Sequence, residues 1–284
     1  MIFIHTLFKI LTYILIIADI SLFSINIGEN VFLLGNKFTC TYLHIIWLIL
    51  FAYIYSYHIK HFKTQFIIYS SIMIVITYFY DCSTSMVAVI TITICVFIKN
   101  MLKRILKKSW ILPVILVAAD LAFVFLNQII LKWDISKFII VDLLQRDMTL
   151  TTRTAIYEMV LIPLSLRPIW GFGCYNTYAV VPALMPYPNL QNGILNSILE
   201  IGIIGTFFYV IALYALIKKS NILQKNSVYS NFYFMIFILS FIVISLVEVN
   251  IDNFFLCWST LVLCLPQIKE KKLRHEIFNN CTHL

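Results

Sequence analysis

Charged side chains are scarce in this sequence, and their scarcity argues against a water-soluble protein. Asp, Glu, Lys and Arg make up 12% of the 284 residues, whereas hydrophobic residues make up 61%. Soluble domains carry roughly 25% charged and about 45–50% apolar residues. A surface this poor in charge suits lipid contact. The composition therefore predicts an integral membrane protein.

Cysteine and acidic motifs that would hold a metal are also missing. The seven cysteines show no metal-ligand spacing and no short-range pairing, and most lie in apolar segments, where cysteine behaves as a small hydrophobic residue. No Asp-x-Asp motif occurs between residues 132 and 192. We therefore predict neither a metal nor another cofactor.

Long apolar runs are what the sequence has in place of charge. A membrane-spanning helix needs roughly 20 apolar residues. The first run has no early basic cluster and no small-residue cleavage site, so we interpret it as a span. The two runs at 66–80 and 84–98 are short, and form either two tight spans or a re-entrant pair. The predicted fold is an all-α polytopic membrane protein with about eight transmembrane helices, at 7–27, 40–57, 66–80, 84–98, 110–131, 193–217, 228–247 and 253–268.

Lysine and arginine clusters predict the orientation of these spans. They follow the second, fourth and sixth spans and occupy the C-terminal tail. With both termini in the cytoplasm every cluster is cytoplasmic, as the positive-inside rule requires. The net charge of +8 then reflects topology and not nucleic-acid binding. The predicted organisation is about five N-terminal transmembrane helices (1–131), one large extracytoplasmic loop with short helices (132–192), three C-terminal transmembrane helices (193–268) and a cytoplasmic tail (269–284).

The predicted loop 132–192 is rich in proline and aromatic residues. Five of the seven prolines lie in it, and proline punctuates shaped, non-repeating backbone. Its aromatic residues argue against disorder. We predict an amphipathic helix over 133–150 and a second helix over 153–166, capped by Thr149, Thr151 or Thr152 and ending before Pro168.

Polar groups on one helix face follow the loop. Asn192, Asn196 and Glu200 are spaced by four residues and therefore stack on one side of the sixth span. Such groups are costly at membrane depth unless they face a partner or a water-filled cavity. Contact between helices and the lining of a cavity are equally good interpretations. Gly202 and Gly205 would permit close approach of a neighbouring helix.

Three arginines lie on the predicted outer side, namely Arg146, Arg153 and Arg167. The guanidinium group is planar, stays charged and matches phosphate geometry. For any one arginine an ordinary salt bridge, such as Arg146 with Asp147 or Arg153 with Glu158, is as good an interpretation as phosphate binding.

A family resemblance covers about residues 80–265 and is specific at 150–205. Its motifs are an arginine with an aromatic residue four positions on, a Pro…Gly-x-Gly turn, an Asn-x-x-Leu segment and a Glu-x-Gly-x-x-Gly helix. This order and spacing resemble the O-antigen ligase and polymerase family. The Ser83-Thr84-Ser85 patch is similar to a Ser/Thr element of that family. In this chain the motifs are Arg153 with Tyr157, Pro168-Ile169-Trp170-Gly171-Phe172-Gly173, Asn192-Gly193-Ile194-Leu195, and Glu200-Ile201-Gly202-Ile203-Ile204-Gly205.

The resemblance implies a function, a fold and site roles. Members transfer glycans carried on polyisoprenyl pyrophosphate at the outer face of the bacterial cytoplasmic membrane, and a GT-C-like helix bundle is expected. Tyr157 stands where tryptophan is commoner, and Gln191 stands where ligase-type members carry histidine, which favours a polymerase over a ligase. The implied pyrophosphate ligands are Arg153 and Arg167 with Arg146 behind them, the implied base is Glu200, and the implied substrate contacts are Tyr157, Trp170, Tyr175, Gln191, Asn192 and Asn196. For Tyr157, Trp170 and Tyr175, stacking on sugar faces and packing of the loop onto the helix bundle are equally good interpretations.

The expected partners are a lipid-linked oligosaccharide donor and acceptor, membrane lipids, and the flippase and chain-length regulator of the same pathway, with no nucleic acid. The predicted enzyme is a metal-independent glycosyltransferase for capsule, exopolysaccharide or O-antigen. Three alternatives remain open. The first is an O-antigen or polysaccharide ligase of the same family. The second is a flippase or other carrier that uses the acids Asp19, Asp120 and Glu200, although no internal repeat is present. The third is a non-enzymatic membrane assembly factor.

Overall fold

The computed structural model describes residues 6–7, 9–14, 16–18, 37–56, 61–130, 132–134, 138–143, 153–223, 232–251, 255–257 and 259–260. All regular structure in these ranges is helical, which confirms the all-α fold class. The helices are α1 (Lys37–Tyr55), α2 (Phe62–Phe79), α3 (Ser83–Phe97), α4 (Lys99–Leu106), α5 (Ile111–Ile130), a π-helical turn (Phe138–Leu143), α6 (Arg153–Met159), α7 (Leu161–Leu166), α8 (Thr177–Leu184), α9 (Gly193–Leu223) and α10 (Phe232–Ser245).

The helices support a membrane protein, as the composition predicts. Two described helices are long and apolar enough to cross a membrane, α2 over Phe62–Phe79 and α9 over Gly193–Ile222. A third candidate is α3 together with α4, which are bent by 98° at the break between them. The predicted number of eight spans and the inside–outside orientation remain predictions. Shorter apolar helices lie at Lys9–Ala18, Lys37–Tyr53, Ile111–Asn127 and Phe232–Ser245.

The described chain forms two compact units. The first contains residues 1–108, 216–240 and 259–284. In it α1, α2 and α3 pack together, and the aromatic rings of Trp47 and Phe51 meet the Tyr69 ring edge to face at centroid distances of 5.2 and 4.8 Å. Edge-to-face ring pairs of this kind contribute about 0.5–1.5 kcal/mol each beyond the area that they bury.

The turn between α2 and α3 shows that the two short apolar runs are separate helices packed on each other. Asp81 adopts a left-handed φ of 49° in this turn. The Lys37 ammonium donates to the Asp81 carbonyl at 2.8 Å and lies 3.6 Å from its carboxylate. Below the turn, the buried hydroxyls of Thr41 and Ser85 share a hydrogen bond of 2.7 Å. The Ser/Thr patch thus joins α3 to α1 in the first unit.

The second unit contains residues 109–215 and 241–258. Here the described part of the loop folds onto α5 and the start of α9. A buried cluster joins the loop helices to both, through Val124 of α5, Leu195 and Leu199 of α9, and the loop residues Ile156, Tyr157, Val160, Val181, Met185 and Leu190. The loop over 153–192 is therefore a packed structure with its own apolar core.

Two details of the loop differ from the predictions. Residues 138–143 form a π-helical turn, so the α-helical spacing used for 133–150 does not apply there; residues 135–137 and 144–150 lie outside the described residues. The predicted helix 153–166 is divided into α6 and α7 by a turn at Val160. Pro163 explains the division, because proline has no N–H for the Met159 carbonyl.

Candidate functional site

Helix α9 is broken at Gly202, and the glycine-rich turn of the loop fills the break. Gly202 has a φ of 71° and a ψ of 178°, values that no helical residue adopts. The N–H of Phe172 donates to the Leu199 carbonyl, and the N–H of Gly173 donates to the Glu200 carbonyl, both at 2.8 Å. On the other side of the break the N–H of Ile203 donates to the Pro168 carbonyl at 2.8 Å. The loop backbone therefore satisfies groups that a broken helix leaves unpaired.

Glycine is required on both sides of this contact. A Cβ atom on Gly202 would lie 2.0 Å from the Ile169 carbonyl oxygen, and one on Gly171 would lie 2.4 Å from the Glu200 carbonyl oxygen. Gly171 also has a positive φ of 71°. The Gly-x-Gly and Glu-x-Gly motifs are thus two halves of one backbone contact. The sequence predicts that Gly202 lets a neighbouring helix approach closely. That prediction is wrong about the partner, because the segment that lies against Gly202 is the loop backbone.

Glu200 and Arg167 are the ionisable side chains beside the break. Glu200 is partly exposed, and its Oε1 accepts a hydrogen bond of 2.8 Å from the hydroxyl of Thr177, the first residue of α8. Arg167 is exposed, and its guanidinium carbon lies 5.3 Å from the centre of the Phe172 ring. The backbone N–H of Phe172 is hydrogen-bonded to the Leu199 carbonyl, next to Glu200 in the chain. The Arg167 cation and the Glu200 carboxyl group therefore belong to the same local structure.

Exposed aromatic side chains surround this turn. Trp170 is 73% exposed and Tyr175 is 68% exposed, the latter on a left-handed backbone with a φ of 65°. Tyr178 on α8 is 62% exposed. Rings exposed in this way have accessible flat faces, and the sugar-stacking role of Trp170 and Tyr175 stays a prediction.

Arg153 lies in a second polar group, where it forms an ion pair with Glu248. Its Nη2 is 2.6 Å from Glu248 Oε1, and its Nε donates to the Val247 carbonyl at 2.9 Å. Both side chains are largely buried, at 14% and 13% exposure. The salt-bridge interpretation of Arg153 is therefore right in kind, and Glu248, far away in sequence, is a partner that sequence proximity did not suggest.

Tyr157 is buried one helical turn after Arg153. Its hydroxyl lies 2.9 Å from the Gln191 carbonyl oxygen and 3.1 Å from that of Leu246, and its ring meets Phe123 edge to face at 6.2 Å. Burial raises the pKa of Tyr157, opposed by the nearby positive charge of Arg153. Of the two predicted roles, stacking on a sugar or packing the loop, these contacts favour packing.

The end of the loop is held at Gln191 and Asn192. Gln191 has a left-handed φ of 52°, and its N–H donates to the Asn189 side chain at 2.9 Å. Asn192 is fully buried and caps α9, because its Oδ1 accepts the N–H of Leu195 at 3.0 Å. Its Nδ2 donates to the carboxyl group of Asp120 at 2.9 Å. Asn192 therefore serves the fold, whereas Gln191 is half-buried beside it.

Asn196 follows one turn later on the face predicted for it. It is 5% exposed, and its Oδ1 accepts no hydrogen bond from the described residues. Arg146 lies outside the described residues. The predicted site residues thus fall into two groups, one at the helix break and one at the start of α9, joined by residues 193–201 of the same helix.

Sequence reasoning undervalued three residues that complete these groups, namely Asp120, Ser245 and Glu248. Asp120 and Glu248 are acids in or next to apolar helices, a signal that by itself marks functional candidates. Their partners, however, lie 72 and 95 positions away along the chain. Ser245 gave no signal, since serine is common at helix ends.

A family comparison agrees with this geometry. The model of the family described as O-antigen ligase matches residues 66–210, just over half of the chain. The chain belongs to the O-antigen ligase family. No curated protein and no solved structure gives a significant match. The family carries out ligase- and polymerase-type reactions on lipid-linked oligosaccharides in membranes.

The matched region of this O-antigen ligase family member contains most of the site. It includes both halves of the glycine contact, the loop helices and the start of α9. Ser245 and Glu248 lie beyond it. In the part of the chain that the structure describes, no three His, Cys, Asp or Glu side chains form a group able to hold a metal ion.

Proposed function

We propose that this protein is a polymerase that joins oligosaccharide repeat units carried on polyisoprenyl pyrophosphate into a bacterial surface polysaccharide. Membership of the O-antigen ligase family supports the reaction class. The observation that carries the proposal is the contact of Gly171 and Gly202, which joins the turn bearing Arg167 to the helix bearing Glu200.

In the proposed reaction an acceptor hydroxyl oxygen attacks the anomeric carbon of the donor glycan. The bond from that carbon to pyrophosphate breaks, and the lipid keeps the pyrophosphate. Arg167 stabilises the negative charge that develops on the leaving group. Glu200 takes the proton of the attacking hydroxyl. No metal is required, because pyrophosphate is already a good leaving group.

The remaining predicted residues take supporting roles in this proposal. Trp170 and Tyr175 stack on sugar rings, and Asn196 donates to or accepts from an acceptor hydroxyl. Arg153 binds the pyrophosphate together with Arg146 and is held in place by Glu248. Tyr157 and Asn192 shape the site from within the loop core.

Gln191 supports a polymerase over a ligase. An amide does not titrate at physiological pH, so Gln191 orients a hydroxyl but does not accept its proton. A ligase with histidine at this position has a candidate base there, whereas this chain has to rely on Glu200.

A deletion strain tests the proposal. Loss of a polymerase leaves single repeat units on the lipid carrier at the outer face, and loss of a ligase leaves finished polymer on the carrier. Loss of a flippase leaves single units at the inner face. Lipid extracts separated by size, with a surface-labelling step to distinguish the two faces, separate the three outcomes. Finished polymer on the carrier, or single units confined to the inner face, contradicts the proposal.

Complementation with Arg167 variants tests the assigned charge. We expect Arg167→Ala to lower the polymerisation rate about a hundredfold, as loss of one charge-stabilising donor does. Arg167→Lys retains part of the rate, because an ammonium keeps the charge but not the planar fork. The matched control is Lys132→Ala, which removes another exposed cation at the start of the same loop. Full polymer with Arg167→Ala refutes the pyrophosphate role of Arg167.

A further inference from the structure

Asp120 is a buried acid that the proposed reaction does not use. It lies halfway along the 20-residue apolar helix α5 and is 0% exposed. A carboxyl group in such a helix is costly unless its oxygens are paired, and helices of this kind carry acids mainly where function requires them.

Both carboxyl oxygens of Asp120 are paired with groups from other segments. Oδ1 accepts from Asn192 Nδ2 and Oδ2 accepts from Ser245 Oγ, each at 2.9 Å. Asn192 is the residue before α9, and Ser245 is the last residue of α10. One side chain therefore fixes the end of the loop against the end of α10.

The residues next to these two anchors belong to the site. The carbonyl oxygens of Gln191 and Leu246 share the Tyr157 hydroxyl, and Leu246 also accepts from Asn192 at 3.3 Å. The next two residues, Val247 and Glu248, hold the guanidinium group of Arg153. Asn192 and Ser245 are thus connected by hydrogen bonds and by adjacent backbone to both Gln191 and Arg153.

We propose that Asp120 is a positioning residue of the site. Its carboxyl group holds the Gln191–Asn192 end of the loop and the 245–248 segment in one arrangement, and so orients Gln191 and Arg153 for the substrate. What those two residues bind rests on the proposed function. The arrangement itself does not, and it is measurable without any substrate.

The experiment compares three substitutions on α5. Asp120→Leu removes both acceptors and keeps a branched side chain with the same number of heavy atoms. Asp120→Asn keeps an acceptor for Asn192 and a group able to pair with Ser245. The matched control is Asn127→Leu, two turns further on, because the Asn127 amide donates only to the Val124 carbonyl of its own helix among the described contacts.

The first measurement is the thiol reactivity of a cysteine placed at Gln191, resolved by mass spectrometry, with the native exposed Cys174 of the same loop as internal reference. We expect Asp120→Leu to raise labelling at position 191 about tenfold relative to Cys174, since loss of hydrogen bonds to a carboxyl group eases local opening by at least this factor. Asp120→Asn and Asn127→Leu should stay within about twofold of the parent. Unchanged labelling in Asp120→Leu, or an equal rise in Asn127→Leu, overturns the proposal.

Ser245→Ala provides a second variant if Asp120→Leu does not reach the membrane. It removes one of the two bonds, and we expect a smaller rise in labelling at position 191. No rise with Ser245→Ala then overturns the proposal as well.

The second measurement is the rate of polymer formation. A misplacement of about 1 Å at a reacting group costs about a hundredfold in rate, so we expect Asp120→Leu to lower kcat strongly with little change in KM. Asp120→Asn restores kcat, and Asn127→Leu leaves it unchanged. If labelling changes as expected but the parent protein makes no polymer, the proposed function fails and the positioning role stands. A normal kcat in Asp120→Leu together with increased labelling at position 191 overturns the role of Asp120 in the reaction.

Discussion

Among single residues, Arg153 and Glu248 form a largely buried ion pair in the second unit. Their atoms are 2.6 Å apart, and little of either side chain is exposed. Breaking a buried pair by removing one partner costs about 3–5 kcal/mol, because the other charge is left uncompensated. We expect Arg153→Ala and Glu248→Ala each to lower the unfolding temperature in detergent.

The exchange Arg153→Glu with Glu248→Arg separates this structural role from pyrophosphate binding. It restores an ion pair of the same charges, so the unfolding temperature should recover most of the loss. Polymer formation should not recover, because the guanidinium group has moved to another segment. Recovery of both indicates that Arg153 acts only through its ion pair.

Tyr157 and Trp170 are aromatic residues of one loop with opposite exposure, 6% and 73%. Tyr157→Phe removes a buried hydroxyl and should cost about 1 kcal/mol of stability, with no change in KM. Trp170→Ala removes an exposed ring and should leave stability unchanged while raising KM. Thermal unfolding and initial rates measure both effects. A raised KM in Tyr157→Phe with stability unaltered contradicts the packing role assigned to it.

Among the structural elements, the broken helix α9 depends on Gly202. Alanine there requires a left-handed φ and brings a Cβ within 2.0 Å of the Ile169 carbonyl oxygen. Backbone strain of this kind costs about 1–3 kcal/mol before any steric clash is counted. We expect Gly202→Ala to separate the Pro168–Gly173 turn from α9 and to abolish polymer.

Ile203→Ala is the control for this element, since Ile203 is the next residue and is 56% exposed. It should leave both protein level and polymer unchanged. Circular dichroism of the purified variants tests whether helix content survives in Gly202→Ala. A Gly202→Ala protein with parental stability and full polymer formation shows that the break is not needed.

For the molecule as a whole, the orientation in the membrane is the central prediction. The basic clusters predict that the 132–192 loop lies outside, and Cys174 is an exposed thiol of that loop. A membrane-impermeant maleimide should therefore label Cys174 in intact spheroplasts. The Cys174→Ala variant is the control for this signal. Labelling that appears only after the membrane is opened places the loop inside and overturns the predicted topology.

The sequence alone determined the class of the protein, because composition and apolar run length depend on no contact between distant residues. It also determined the family, since the motifs around Arg153, Pro168, Asn192 and Glu200 keep their order and spacing along the chain. Of the candidate site, the loop and the polar face of α9 follow from local patterns.

Tertiary structure decided which of those residues act together. It paired Arg153 with Glu248 across 95 positions and Asp120 with Asn192 across 72, which no local spacing predicts. It placed Tyr157 in the core and left Trp170 exposed, although both are aromatic residues of one loop. It also explains why glycine is needed at these positions, since only the folded chain brings the Gly171 turn against the helix break at Gly202. Local spacing shows which groups are present, but long-range hydrogen bonds and packing select their partners.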